Sequence, residues 1–139
     1  MSLYSDFETN KDLETNGVKV EYGPNKDKTI PTFFIRRMSR SNKKYTKGLE
    51  KATRPHRRAI ELETMQTSQA EKISMEVFVE TILVGWENVQ NRKNEVVPYT
   101  KEAATKLFNE LPDFYDDLQG KASKASLFRD ESVEEEAGN

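Results

Sequence analysis

The chain has 139 residues, no cysteine, one histidine and a formal net charge of −2. Hydrophobic residues make up 35% and charged residues 33%, which allows one modest core rather than several domains. Without cysteine there is no disulfide, no thiolate metal site and no thiol nucleophile, a composition that fits a reducing compartment.

The charges are unevenly placed. Between Arg36 and Arg58 stand ten Lys or Arg residues and a single acid, Glu50, while acids gather at Asp113, Asp116 and Asp117 and again from Asp130 to Glu136. Such blocks recruit partners of opposite sign or pair within the chain.

Residues 1–16 are polar and unpatterned and read as a mobile N-terminus with no signal-peptide character. Residues 17–37 read as a β-hairpin: Val18 to Tyr22 alternates with period two, Gly23-Pro24-Asn25 is a turn signal, and Thr32 to Arg36 returns. Pro31 confines the second strand to an edge or a strand start. A lone hairpin is marginal in water, so it has to pack on helices or join another sheet.

Residues 38–128 read as a helical domain of four to five helices. Ser39 or Ser41 caps a first helix with a narrow stripe of Tyr45, Leu49 and Ala52, and Pro55 ends it or begins the next. The strongest predicted helix runs from Ser68 to about Val89. Met75, Phe78, Val79, Ile82 and Trp86 share one face of it, and Ile73, Val77 and Val84 widen that face. The bridge Val96-Val97-Pro98-Tyr99 is extended, because a residue before proline avoids the helical region. Thr100 stands where an N-cap belongs, and Pro112 suits the first turn of a last helix. Residues 129–139 read as an acidic flexible tail. The expected fold class is therefore mainly α, a small helical domain with an N-terminal β-hairpin and a mobile acidic C-terminus.

Little catalytic chemistry is legible. His56 sits beside Arg54, Arg57 and Arg58, whose charges disfavour an imidazolium. Asp113, Asp116 and Asp117 share a helix face, and acids in the first turns of a helix suit its dipole. Asn88, Asn91 and Asn94 lack the acidic core of a calcium loop. Phosphate-loop, dinucleotide, zinc-protease and serine-hydrolase motifs are absent. The expectation is a protein that is not an enzyme and has no cofactor or metal. The longest apolar run, Ile82 to Trp86, is far short of the roughly 20 residues of a membrane span, so a soluble intracellular protein is expected.

Two surfaces are candidates for binding. Arg40, Lys43, Lys44, Lys47, Lys51 and Arg54 recur at helical spacing and form a basic patch able to meet an acidic protein surface or, less readily, a phosphate backbone. Large apolar side chains, Phe78, Ile82, Trp86, Tyr99, Phe108 and Phe114, either fill the core or leave a groove for an apolar partner segment.

The stretch from Ile82 to Leu118 also carries a family resemblance. A helix ending in Gly85-Trp86-Glu87-Asn88-Val89 is followed by a polar turn, Val97-Pro98-Tyr99-Thr100, Lys101-Glu102-Ala103-Ala104 and Leu107. Then come Leu111-Pro112-Asp113-Phe114, a late Phe128 and an acidic end, preceded upstream by the basic Lys44-Tyr45 to Arg58 segment. Over roughly residues 33–139 this pattern resembles tail assembly chaperones of tailed bacteriophages. The turn Asn91-Arg92-Lys93-Asn94 departs from it in lacking a glycine. The resemblance implies a factor that binds the tape-measure protein, helps recruit tail tube protein and leaves before the virion matures, acting in the host cell cytoplasm; the charge blocks of opposite sign would let copies self-associate head to tail along that target. A frameshifted longer product is a further implication. Alternatives are a structural tail or connector protein retained in the virion, its hairpin extending a neighbour's sheet, and a nucleic-acid-binding phage accessory protein using residues 36–58.

Overall fold

The computed structural model describes residues 2–129. It is mainly α, with seven α-helices and one three-stranded antiparallel sheet. Helix α1 (Leu3–Phe7) and α2 (Lys11–Asn16) precede β1 (Val18–Glu21) and β2 (Thr32–Ile35). Next come α3 (Lys43–Thr53), a 3-10 turn at Arg54–His56 and α4 (Arg57–Glu61). The remaining elements are α5 (Thr67–Thr81), β3 (Leu83–Glu87), α6 (Lys101–Glu110), α7 (Pro112–Ala122) and a 3-10 turn at Ala125–Phe128.

The predicted hairpin forms, with Val20 opposite Phe33 and Val18 opposite Ile35. It is not a hairpin alone. The predicted helix from Ser68 to Val89 stops at Thr81, and Leu83–Glu87 becomes a third strand on the far edge of β2. A short apolar run such as Ile82 to Trp86 suits a helix and a strand equally by periodicity, and the open edge of β2 decides it. The handover is visible at Ile82: its N–H still donates to the Phe78 carbonyl at 2.9 Å, while its own carbonyl accepts from Arg36 N–H at 2.8 Å.

Register between β2 and β3 shifts after Phe34, because Gly85 faces Phe34 and Leu83 faces Ile35, leaving Val84 as the extra residue. That bulge turns both Leu83 and Trp86 inward although they are three apart. The inner face of the sheet then joins α5, α6 and α7 in one core built on Phe33, Ile35, Phe78, Ile82, Phe108 and Leu118. The hairpin and the helices are thus parts of one body. Helix α3 lies close against α5: a Cβ on Gly48 would sit 2.7 Å from Cγ2 of Thr81, so only glycine permits this approach.

The N-terminal segment departs from the expectation of an unpatterned arm. Ser2 and Ser5 form a reciprocal capping box on α1, and Asn10 caps α2. Glu14 on α2 is buried, and the Asn10 N–H donates to the Phe128 carbonyl at 2.6 Å. Helix α2 is thus anchored by polar side chains, which hydrophobic periodicity does not register, whereas α1 buries none of its residues. The cap of α3 is Asn42, not Ser39 or Ser41. Thr100 and Pro112 stand where the sequence placed them, at the N-cap of α6 and in the first turn of α7. The predicted acidic tail, apart from Arg129, lies outside the described residues.

Candidate functional site

The Trp86 strap explains the extended bridge before α6. Trp86 Nε1–H donates to the Val97 carbonyl at 2.8 Å, and Tyr99 stacks edge-on against the indole at 5.1 Å. The turn at residues 91–94 closes without glycine. Asn94 takes a left-handed φ of 62°, and the Asn91 side chain accepts from the backbone N–H groups of Lys93 and Glu95. Asparagine tolerates that conformation better than other side chains, so the turn needs no glycine.

This arrangement divides the six apolar residues considered for partner binding. Phe78, Ile82 and Phe108 are fully enclosed and Trp86 is buried, so in this chain they are core rather than surface. Phe78 and Phe108 meet edge-on at 5.8 Å, and Tyr115 contacts both rings. Tyr99 and Phe114 are partly buried and keep an open side. A wide helix face read from sequence counts apolar residues without knowing how many neighbours will cover them, which is why the set looked uniform.

Phe114 leads to a surface that the sequence reading did not single out. Together with Tyr22, Phe33, Val89, Leu107 and Leu111 it lines a groove of about 210 Å³ between the hairpin and the α6–α7 corner. Leu111, between the two helices, is 49% exposed at its rim. One end is closed by a polar latch: the Tyr22 hydroxyl donates to Asp117 at 2.6 Å, Lys121 pairs with Asp117 at 3.0 Å, and Lys121 Nζ lies 4.4 Å from the Tyr22 ring centre. Burial, aided by Asp117, pushes the Tyr22 phenol well above its usual range. The Tyr22 hydroxyl and Lys121 hold the Asp117 carboxyl below its own. Of the three aspartates on this helix, Asp117 therefore has a structural partner. The signal that would have disclosed the groove is Leu107 and Leu111 at i and i+4 beside Pro112, with Tyr22 contributed from just after β1, 85 residues before Leu107.

The basic patch forms as spaced. Lys43, Lys44, Lys47 and Lys51 lie on the exposed side of α3, flanked by exposed Arg40 and Arg54. Among the described residues the only ion pair made by these six joins Arg54 to Glu50 at 3.4 Å. The opposite side of α3, with Leu49 and Thr53, borders a second apolar cleft of about 430 Å³ shared with α4 and α5. A larger, shallower cavity of about 730 Å³ between α5 and α6 is rimmed by charges, including the Lys101–Glu80 pair at 2.7 Å.

His56 contacts Gln69 at 3.3 Å through its ring. Among the described residues there is no group of three His, Asp or Glu side chains placed to hold a metal, and no helix long and apolar enough to cross a membrane.

Comparison with known families places this geometry in a lineage. The family described as YdaY prophage protein matches residues 40–139, which takes in α3 to α7 and β3 but not the two strands that complete the sheet. No curated protein and no solved structure matches. The chain belongs to the YdaY prophage protein family.

Proposed function

We propose that this phage-derived protein is a non-enzymatic assembly factor of the tail assembly chaperone type, which binds the tape-measure protein and assists tail tube assembly in the host cytoplasm. The observation that carries this reading is the open groove at the α6–α7 corner, floored by Phe33, Leu107 and Phe114 and rimmed by exposed Leu111. A groove of that kind accepts the apolar face of an amphipathic helix through anchors at i, i+3 or i+4. A long, largely helical tape measure offers such faces repeatedly, and masking them keeps the chain soluble. With Phe78, Ile82 and Phe108 committed to the core, the client contacts fall to Phe114 and Leu111.

Co-expression with the tape-measure protein of the same prophage tests the proposal. The tape measure should become soluble and co-purify, and Leu111→Glu should abolish both effects. Insoluble tape measure with no association sinks it. Abundant protein in purified particles, seen by mass spectrometry, points instead to a structural tail component.

The basic face of α3 favours a second reading, contact with a polyanion. Lys43, Lys47 and Lys51 are exposed together on one helix, a geometry that follows a phosphate backbone as readily as an acidic protein. Salt-sensitive DNA or RNA binding that disappears when these three lysines are changed to Glu would support the accessory-protein alternative.

A further inference from the structure

The basic face of α3 is left without counter-charge. Lys43, Lys44, Lys47 and Lys51 are all exposed, and none of them forms an ion pair among the described residues. Lys43, Lys47 and Lys51 stand at i, i+4 and i+8, a spacing at which like charges repel and cost the helix stability. An acidic occupant relieves that repulsion. Between the end of α2 and the start of α3 the row continues into a polar cleft of about 480 Å³, bordered by Arg36, Lys43, Lys44 and Asn16. The one acid in its lining, Glu14, is already engaged by Arg37 and Ser41.

We infer that this face is a docking surface for an acidic peptide, and that its occupant is residues 130–139 of the same chain. Those ten residues hold five acids, Asp130, Glu131, Glu134, Glu135 and Glu136, and no base. They lie outside the described residues, so the occupant follows from charge, exit point and reach.

Charge selects the surface. Residues 36–58 carry ten bases against one acid, whereas the rest of the chain up to Arg129 carries twelve bases against eighteen acids. The body at large repels the acidic segment, and this one stretch attracts it.

The exit point lies beside that stretch. The Phe128 carbonyl accepts from the Asn10 N–H at 2.6 Å, at the head of α2. One turn on, Glu14 accepts from Ser41 at 3.1 Å, and Asn42 then caps α3. From Asn10 to Glu14 is about 6 Å along α2, and α3 rises about 12 Å from Lys43 to Lys51. The seven residues from Asp130 to Glu136 cover about 23–25 Å when extended. The acids therefore span the whole row of lysines, with a few ångströms left for the step between the helices.

Tethering decides for this occupant over a second copy. Exposed ion pairs are individually weak, but a segment joined to the body at Arg129 meets α3 at an effective concentration on the order of millimolar. The same segment of another chain is present only at the concentration of the protein. The face is thus covered first by its own chain, and an outside acidic partner has to displace it. The groove at Phe114 takes no part, so the inference does not depend on the chaperone reading.

Because the chain has no cysteine, Ala137→Cys places a single nitroxide label on the full protein, read by line broadening of backbone amides. Amides of residues 43–51 should broaden strongly. Asp130→Asn with Glu131→Gln, Glu134→Gln, Glu135→Gln and Glu136→Gln removes the charge and keeps the tether's length, and should lower the docked-to-free ratio roughly tenfold. Lys43→Glu with Lys47→Glu and Lys51→Glu should do the same, as should salt near about 1 M, where the Debye length is about 3 Å. Unchanged amide shifts in α5 to α7 confirm folding, and the neutral segment decides the matter if the lysine variant does not fold. Broadening that survives neutralisation reports mere nearness and overturns the docking, as does no broadening at all. Broadening of an isotope-enriched, unlabelled copy mixed with the labelled one assigns the occupant to a second chain and overturns docking within the chain.

Discussion

Replacing Arg37 with Met should loosen α2 selectively while leaving the core folded. Glu14 accepts hydrogen bonds from Thr9, from Ser41 at 3.1 Å and from Arg37 at 3.1 Å, and the Glu14 and Arg37 side chains are only 11% and 21% exposed. Breaking a buried ion pair from one side costs about 3–5 kcal/mol, because a charge is left behind without its partner. Here the loss falls at or below the lower end of that range. Two hydroxyl donors remain on the carboxylate, and the Arg37 Nε has no acceptor among the described residues, so the pair is incompletely satisfied from the outset. A loss of about 2–3 kcal/mol, or roughly 30–160-fold in the local opening equilibrium, is expected. Amide exchange followed by mass spectrometry reads it directly: segments 9–16 and 36–41 should exchange faster, while α5 to α7 change little. The pH dependence gives an independent check. Burial alone would raise the Glu14 carboxyl, but hydrogen bonds from Thr9, Ser41 and Arg37 outweigh it, leaving it below its usual value of 4.5. A depressed carboxyl contributes fully above the unfolded value and loses its contribution as pH falls through the folded one. Protection of α2 should thus hold at neutral pH and decline below about pH 4.5. Arg37→Met should show a shallower decline. Unchanged exchange at α2 in the variant, together with acid-insensitive protection in the parent, would refute the reasoning.

Other consequences are open to simpler measurements. Phe108→Ala removes a fully enclosed ring that touches Phe78, Phe114 and Tyr115, and should cost about 3–5 kcal/mol in urea titration. Gly48→Ala improves helix propensity by about 1 kcal/mol yet should destabilise by about 1–2 kcal/mol net, since its Cβ meets Thr81 Cγ2. Adding Thr81→Ser, which deletes that methyl and keeps the hydroxyl bond to the Val77 carbonyl, should restore the melting temperature. Trp86→Phe removes the hydrogen bond to Val97 and should cost about 1 kcal/mol or more, with faster amide exchange at residues 96–99. Asn94→Ala should lose about 1–2 kcal/mol by placing a β-carbon in the left-handed region, while Asn94→Gly should be tolerated in the same thermal melt.

Much of the helical part was legible because its signals are local. Thr100 and Pro112 mark helix starts by hydrogen-bonding and steric rules that involve only their immediate neighbours. The alternation in Val18–Glu21 and the basic spacing along α3 are likewise properties of a few adjacent residues. The segments that misled are those whose state depends on distant chain. Leu83–Glu87 is a strand because β2, some fifty residues earlier, offers an unpaired edge, and α2 is anchored because Glu14 meets Arg37 and Ser41. The groove at Phe114 needs Tyr22, just after β1, and Phe33 on β2 to exist at all.

The mainly helical class, the basic face of α3, the lack of recognisable catalytic motifs and a phage affinity are already legible in the order of the residues. Composition, caps and periodicity are short-range quantities, and they survive any tertiary arrangement. Tertiary structure alone decided which large side chains are core and which remain open. Burial is a property of neighbours: Phe78 and Phe108 are enclosed because α5, α6 and α7 converge on them, while Leu111 stays exposed because nothing in the described chain covers it.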